Sequence, residues 1–388
     1  MLIFDEDFGL GCDYKNFNFH IMVADQELIR RIALTLVPGV GDVLAKKLIA
    51  YCGSVEAVFD EKQDLLLRIP GIRPSLAKSI KNKEAFIRAE KEVRFIRRYS
   101  IQPLFYLDDN YPERLKQCED HPTMLYYKGT GDLNHARPLA VVGTRRITEY
   151  GKIECKKIID GIAPFEPLIV SGLAYGVDTC AHKTSLENGL STIGVLGHGL
   201  DLIYPPQNKQ LAEKMVSQGG LITEFLSETK PDGVNFPKRN RIIAGLCDAV
   251  VVVEAGVKGG ALITADIANS YNRDVFALPG RVTDTFSMGC HFLIKTNRAA
   301  LIENAADLVF AMGWTDHKNG KAPQLKLFED LSQEEETMVN ILKEKGDVSV
   351  DTMVNDSNMA SGKVASLLLN LEFKGVIKLL PGKVYRLI

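Results

Sequence analysis

LAVVGTRR (139–146) decides how the rest of this chain is read: four apolar residues run into Gly143, and two arginines follow before a helical pattern begins. The same order recurs in LIVSGLAYGVDTCAH (168–182), TIGVLGHGLDLIYP (192–205) and FPKRNRIIAGLCDAVVVVEA (236–255), and GGALITADIA (259–268) opens a further helix. A short apolar run ending on glycine and feeding a helix is the pattern of a parallel strand and its crossover. The expected fold class is α/β, with a Rossmann-like, doubly wound, mostly parallel sheet at its core. In such sheets ligands bind outside the carboxyl ends of the strands, where glycine lets backbone N–H groups and helix dipoles approach an anion. Function is therefore sought along that rim.

Outside this core the chain is ordinary globular protein: 388 residues, 46% hydrophobic and 25% charged, enough for two or three domains. No stretch approaches the roughly 20 apolar residues that span a bilayer, and the start lacks a basic region followed by an apolar one. The expectation is a cytoplasmic protein with no membrane partner. Cysteines at 12, 52, 118, 155, 180, 247 and 290 are odd in number and never spaced C-x-x-C, which points to reduced thiols and no structural metal. A net charge of −2 does not advertise a polyanionic ligand, but it averages over domains and leaves room for a local basic patch.

Residues 1–21 are aromatic and acidic without a clear period and read as an extension, and Met22 opens the first helical pattern. Within 22–103, LVPGVGDVLAKKLIAY (36–51) and RIPGIRPSLAKSIKN (68–82) resemble each other: Pro-Gly, a short turn, then a helix. This is the order of an all-α, SAM-like helix-hairpin-helix pair, whose hairpin amides can grip a phosphate without reading sequence. The second copy has Arg73 where the motif prefers glycine, and a small helical packing domain is the other reading. The core is expected over 104–314, a polar linker over 315–330, and a winged helix over 331–388 with its hairpin turning at Pro381-Gly382. The recognition helix of that wing, 360–373, has one cation near its start, Lys363, which suits docking or regulation better than base readout.

Along the rim, Gly143 allows a sharp exit, Thr144 can cap a helix or bond a phosphate, and Arg145 can fork onto one. Ser171 and Gly172 end the second strand. Asp178 and His182, four apart on the next helix, suit either an acid–base pair or a helix cap beside a packed histidine, the latter favoured because no nucleophile accompanies them. Lys238, Arg239 and Arg241, with Asn240 between them, put three cations in four residues at what reads as a strand-end loop pinned by Ile242 and Ile243. Gly259 and Gly260 give a helix entry whose amides face the rim, with Lys258 nearby. Tyr204 can stack on a base or close a turn. Aromatics otherwise look sparse, which favours backbone tracking over stacking. There is no G-x-x-x-x-G-K-[ST] and no G-x-G-x-x-G after the first strand, so neither an ATP-driven motor nor a nicotinamide cofactor is supported, and no cofactor is expected.

Taken in order, VVGTRR, SGLAYGVDTCAH, VLGHGLDLIYP, FPKRNRIIAGL, VVVVEA, GGALITA, ALPG (277–280) and SMGCHFLI (287–294) resemble the DNA-processing protein A family (DprA, also called Smf), over nearly all of 104–313. The resemblance implies a recombination mediator, not an enzyme, that binds and protects incoming single-stranded DNA in natural transformation and loads the RecA recombinase. It also implies a homodimer formed through the Rossmann-like domain. By the same resemblance Arg145 and the segment Lys238-Arg239-Asn240-Arg241 line the pocket for the DNA backbone, and Gly143, Ser171, Gly172 and Gly260 shape it. Thr144 and Thr223 stand where the family more often has serine, Gly259-Gly260 where it has Ser-Gly, and His291 where it has asparagine, which alters the chemistry of the rim.

The rival class is a Rossmann-like phosphoribohydrolase acting on nucleoside monophosphates. Such enzymes have similar Gly-Gly helix entries and a rim glutamate, a role open here to Glu254 or Glu224. Their P-G-G-x-G-T-x-x-E string is replaced by GVKGGALITAD, with Asp266 last, which disfavours that reading.

Overall fold

A computed structural model of the chain describes residues 18–314, 331–380 and 382–387. Most of the expected extension, the expected linker and Pro381 of the expected terminal turn lie outside the described residues.

Six helices come first: α1 (Asn18–Leu36), α2 (Asp42–Cys52), α3 (Val55–Asp60), α4 (Gln63–Leu66), α5 (Pro74–Ile80) and α6 (Glu84–Arg98). Helix α1 begins four residues ahead of Met22, where helical spacing first shows in the sequence. Both Pro-Gly turns place their glycine at positive φ, 89° for Gly39 and 94° for Gly71, a conformation open to glycine at little cost. Each turn leads into the second helix of its hairpin, α2 and α5.

The α/β part follows as β1 (Gln102–Phe105), α7 (Glu113–Lys116), β2 (Met124–Gly129), β3 (Pro138–Val142), α8 (Glu149–Ile162), β4 (Leu168–Ser171), α9 (Val177–Glu187) and β5 (Thr192–Val195). Then come α10 (Lys209–Gln218), β6 (Gly220–Thr223), α11 (Asn235–Leu246), β7 (Ala249–Val252), α12 (Gly260–Ser270), β8 (Asp274–Ala277), α13 (Met288–Lys295), β9 (Ala300–Leu301) and α14 (Ala305–Ala311). The nine strands order as β1-β2-β6-β5-β4-β3-β7-β8-β9, parallel from β6 to β9 and antiparallel at the β1-β2-β6 edge. Strands β3 to β7 are buried along their whole length, as strands covered by helices on both faces must be. The fold is thus a Rossmann-like, doubly wound sheet. Its order reverses between β3 and β7, which pair directly although β4, β5 and β6 come between them in sequence. At such a switch point two loops leave in opposite directions and open a crevice.

The C-terminal part runs α15 (Gln333–Lys345), β10 (Val348–Ser349), α16 (Val350–Ser357), α17 (Ser361–Phe373), β11 (Ile377–Leu380) and β12 (Val384–Leu387), with sheet order β10-β12-β11. This is a winged helix, closed over Met338, Leu342, Val364, Leu368 and Leu371. Helix α15 opens on a full capping box, Ser332 with Glu335. Lys363 at the start of α17 is ion-paired with Glu334.

The helix-hairpin-helix part is fastened to the sheet. Asp42, in the first turn of α2, accepts from the Thr123 amide at 2.7 Å and from Arg241 Nη2 at 3.1 Å, and the same Arg241 nitrogen donates to Glu224 at the end of β6. The hairpin that resembles a phosphate grip is therefore turned onto its own core through a carboxylate. A second clamp holds the loop after β6: buried Glu92 of α6 accepts from the Ser227 amide at 3.0 Å and hydroxyl at 2.6 Å, and from Arg88 at 2.8 Å.

Glu224 has one carboxylate oxygen without a partner. Burial pushes its carboxyl up to about 7, against the pull of Arg241. A carboxyl raised in the folded state adds stability that is complete below the unfolded value of 4.5 and is lost as pH rises through about 7. Denaturant midpoints of the native chain should therefore fall across that window more steeply than those of Glu224→Gln, which is neutral throughout. Equal pH slopes in the two proteins would contradict this.

Candidate nucleic-acid interface

At the β3–β7 switch point lies a concavity of about 410 Å³. One wall is the loop after β3, another is the segment from Ala255 into α12, and the floor is the first half of α11. The wall after β3 is rigid for stereochemical reasons. The Thr144 amide donates to Glu254 O at 2.7 Å, and the Val177 amide donates to Thr144 O at 3.2 Å. Gly176, at φ 82°, passes so close to Thr144 O that an added Cβ would sit 2.1 Å from it. The Thr144 hydroxyl accepts from the Arg146 amide at 3.1 Å, a local turn that sends both arginines outward.

Arg145 is exposed, and its guanidinium lies 5.2 Å over the ring of Phe236. Phe236 in turn sits 6.1 Å from Tyr204, which is half exposed at the same edge. Together with Phe286 on the opposite wall, this supplies aromatic faces at the rim. The sequence reading of sparse aromatics is corrected here: Phe236 is three and four residues ahead of Arg239 and Asn240 on one helix, so all three share a face.

The cationic segment 238–241 is also placed differently from the strand-end loop read in the sequence. It lies inside α11, and the helical period sends its members in different directions. Lys238 is exposed and is not part of the concavity wall. Arg239 is 4% exposed on the inner face, where Nη1 donates to Val195 O at 2.7 Å and Nε has no partner. Asn240 donates to Gly260 O at 3.2 Å and so ties the floor to the start of α12. Arg241 faces the helix-hairpin-helix part, held by Glu224, Asp42 and the Asp120 carbonyl. Its charge is spent on that contact.

Ser171 and Gly172 lie beneath the floor. The Ser171 hydroxyl donates to Val141 O at 2.6 Å, and the Gly172 amide donates to Asp178 Oδ2 at 3.1 Å. Both are buried and shape the seat of Arg239. Burial lowers the Arg239 guanidinium to about 10, so it stays charged at neutral pH, and burial also raises the Asp178 carboxyl while Arg239 opposes that. The result is a buried cation with an unused N–H at the bottom of a crevice, under three exposed cations, Arg145, Arg146 and Lys258. Gly259 and Gly260 are exposed, with open space where a Cβ of Gly259 would be and only Asn240 Nδ2, at 3.6 Å, near that of Gly260, so little crowds the start of the eleven-residue α12.

The carboxylates open to the rival reading are occupied. Glu254 is 2% exposed and caps α8 through the Thr148 amide at 2.9 Å and hydroxyl at 2.5 Å. Glu224 is paired with Arg241, and Asp266 with Arg298 at 3.1 Å on the surface. Asp178 and His182 do not pair either. His182 Nδ1 bonds Thr192 at 2.7 Å, and burial lowers its imidazole to about 3, too low to serve as a base partner at neutral pH. His291 bonds Gly280 O at 3.0 Å, outside the concavity wall. Among the described residues no three His, Cys, Asp or Glu side chains gather to hold a metal, and no helix is long and apolar enough to cross a membrane.

A doubly wound sheet whose switch point presents cations, helix amides and aromatic faces has the groups to hold an anionic ligand there. Residues 102–313 match the family described as DNA recombination-mediator protein A, residues 32–84 match a SAM-like helix-hairpin-helix tandem, and residues 326–383 match the DprA winged helix domain. Protein Smf of Synechocystis sp. is 34% identical over 400 residues, covering 94% of this chain and 100% of its own. The solved structure of DNA processing protein A from Streptococcus pneumoniae superposes with a TM-score of 0.55 at 34% identity, covering 70% of this chain and 98% of that one. That of DNA processing protein A from Helicobacter pylori, for which a single-stranded DNA binding mode is described, gives a TM-score of 0.50 at 29% identity, covering 55% and 95%. The chain belongs to the DNA recombination-mediator protein A family, DprA/Smf.

Proposed function

We propose that this chain binds single-stranded DNA along the β3–β7 rim, protects it, and delivers it to a RecA recombinase during natural transformation, acting as a cytoplasmic homodimer and not as an enzyme. The observation that carries the proposal is Arg239: a buried guanidinium with an unpartnered Nε–H beneath three exposed cations is a site prepared for anions. Arg145 and α12 would take phosphates, while Phe236 and Tyr204 offer stacking faces that every base can use. In the helix-hairpin-helix part the first hairpin turns the carboxylate of Asp42 onto the sheet, and in the winged helix Lys363 is paired with Glu334, so the rim is taken as the primary DNA site. Exposed apolar residues at the β9 edge, Met288, Phe292 and Leu301, support self-association through the sheet domain.

Among the described residues the carboxylates open to the rival nucleotide-cleaving reading, Glu254, Glu224 and Asp266, each have a hydrogen-bond or ion-pair partner. Incubation with purine and pyrimidine nucleoside monophosphates should release no free base, measured by chromatography at protein concentrations that saturate a DNA strand. Turnover would overturn the non-enzymatic assignment.

A further inference from the structure

At the end of the sheet opposite the rim, the winged helix and the residues that lead into β3, β7 and β8 enclose a concavity of about 860 Å³. Two contacts bring the winged helix there. Lys378 Nζ stands 5.8 Å over the ring of Phe310, and Gly382 comes so close that an added Cβ would sit 3.1 Å from Arg273 Nη1.

Four arginines line the hollow: Arg114, Arg137 and Arg273 from the sheet part, and Arg386 from β12. Two of them are neutralised in place. Arg114 forks onto Asp248 at 2.6 and 3.1 Å, and Arg386 forks onto Asp347, at 2.7 Å through Nε. The other two are held by uncharged acceptors. Arg137 Nη1 donates to Phe165 O at 2.6 Å, and Arg273 Nη2 donates to Arg114 O at 2.9 Å and to Gln117 Oε1 at 3.3 Å. Arg273 is 5% exposed, yet its Nε has no hydrogen-bond partner. A buried donor left unpaired is costly, and a guanidinium that lines a cavity with a spare N–H is suited to an anion. Burial, and then the like charge of Arg386, lower the Arg137 guanidinium, while Glu166 opposes this; a bound anion would oppose it further.

The rest of the lining narrows the class of anion. Phe165 is half-buried and lies 6.1 Å from Trp314, so the hollow has an aromatic wall on which a planar ring can lie. Glu113 and Glu166 also line it, and both are exposed, which suits them to accept from sugar hydroxyls and not to repel a phosphate on the opposite groups. The volume is within the range of about 300–1,000 Å³ typical of small-molecule sites. We infer that this hollow binds a nucleoside phosphate, with phosphate oxygens on Arg137 and Arg273 and the base against Phe165. A free nucleotide and the phosphorylated end of a strand both carry that chemistry. Because the walls come from two parts of the chain, the ligand binds the docked winged helix and holds it there.

The test uses the full chain with three probes: ADP, inorganic phosphate, and a short 5′-phosphorylated oligothymidylate. Binding is read by calorimetry and located by amide hydrogen exchange. ADP should bind and slow exchange in β11 and β12 while leaving α12, at the rim, unchanged. Arg137→Gln, at a half-buried position, should weaken ADP by about tenfold or more, the loss of one charge-assisted bond. Arg145→Ala, at the rim, should leave ADP affinity as it is. The same pattern with the oligonucleotide and not with ADP would support the site and assign its ligand to a strand end. Inorganic phosphate binding as tightly as ADP would overturn the nucleoside class. The site itself would be overturned if no probe slows exchange in β11 and β12, or if binding is lost in Arg145→Ala and kept in Arg137→Gln.

Discussion

Arg145→Ala should weaken binding of a single-stranded oligonucleotide by about 10- to 100-fold, the loss expected when one charge-assisted hydrogen bond of ~1.5–3 kcal/mol is removed. It should also flatten the dependence of log affinity on log salt by about 0.7, one phosphate's share on a single strand. Fold stability should barely change, because the side chain is exposed and its described contact is the face of Phe236. Arg145→Lys separates charge from shape: it keeps a cation but loses the planar fork and the stacking, so it should fall between the two. Fluorescence anisotropy across salt concentrations reads both quantities. Unchanged affinity and slope in a folded Arg145→Ala protein would remove this residue from the interface.

Gly172→Ala should be the more damaging change although it adds one methyl group. Its backbone is not at positive φ, so the effect is steric: the new Cβ would lie 1.8 Å from Arg239 Nη1 and 2.5 Å from Cζ. An exposed arginine would swing aside. Arg239 is 4% exposed and held by Val195 O, so its guanidinium must be driven from its seat and strand a buried charge. Separating a buried ion from its partners costs on the order of 3–5 kcal/mol, and Asp178 is left beside the vacated position. The variant should show a large drop in denaturant midpoint together with loss of DNA binding. Gly259→Ala is the control: nothing lies within 4 Å of its Cβ position, so stability should hold. A fully stable Gly172→Ala protein with native affinity would refute the role given to Arg239.

Much of this fold is legible in the sequence because parallel strands buried on both faces leave uninterrupted runs, as in Leu139–Val142 and Ala249–Val252, with glycine soon after where the chain turns. The winged helix is legible for a related reason, since its order of helix, short strand, two helices and hairpin is local. The cationic segment 238–241 shows where local reading stops. Its period was available: Arg239, Ile242, Ile243 and Leu246 fall on one buried stripe of α11, which marks Arg239 as an inner residue and brings Phe236 to the crevice. Pro237 does not stand against it, since proline is tolerated in the first turn of a helix and α11 starts at Asn235. The fate of Arg241 was not legible at all. Its partners Asp42 and Glu224 come from the hairpin-bearing part and from the end of β6, and no spacing within the sequence signals that meeting.

The same geometry turns the first of the two hairpins of the helix-hairpin-helix part onto its own core. The hairpin delivers Asp42 to the first turn of α2, where its carboxylate puts negative charge at the helix end and accepts from the Thr123 amide. The part is fastened instead to the loop between β6 and α11, which leads directly into the helix carrying Phe236, Arg239 and Asn240.

The most direct test of the central claim, that the rim grips a single DNA strand by its backbone, is the affinity of the full chain for single-stranded and duplex DNA of equal length over a range of salt. The rim requires tighter binding of the single strand, with affinity falling as salt rises by a log–log slope near −0.7 for each phosphate engaged. Binding that is indifferent to salt, or that is as tight for the duplex, would contradict it.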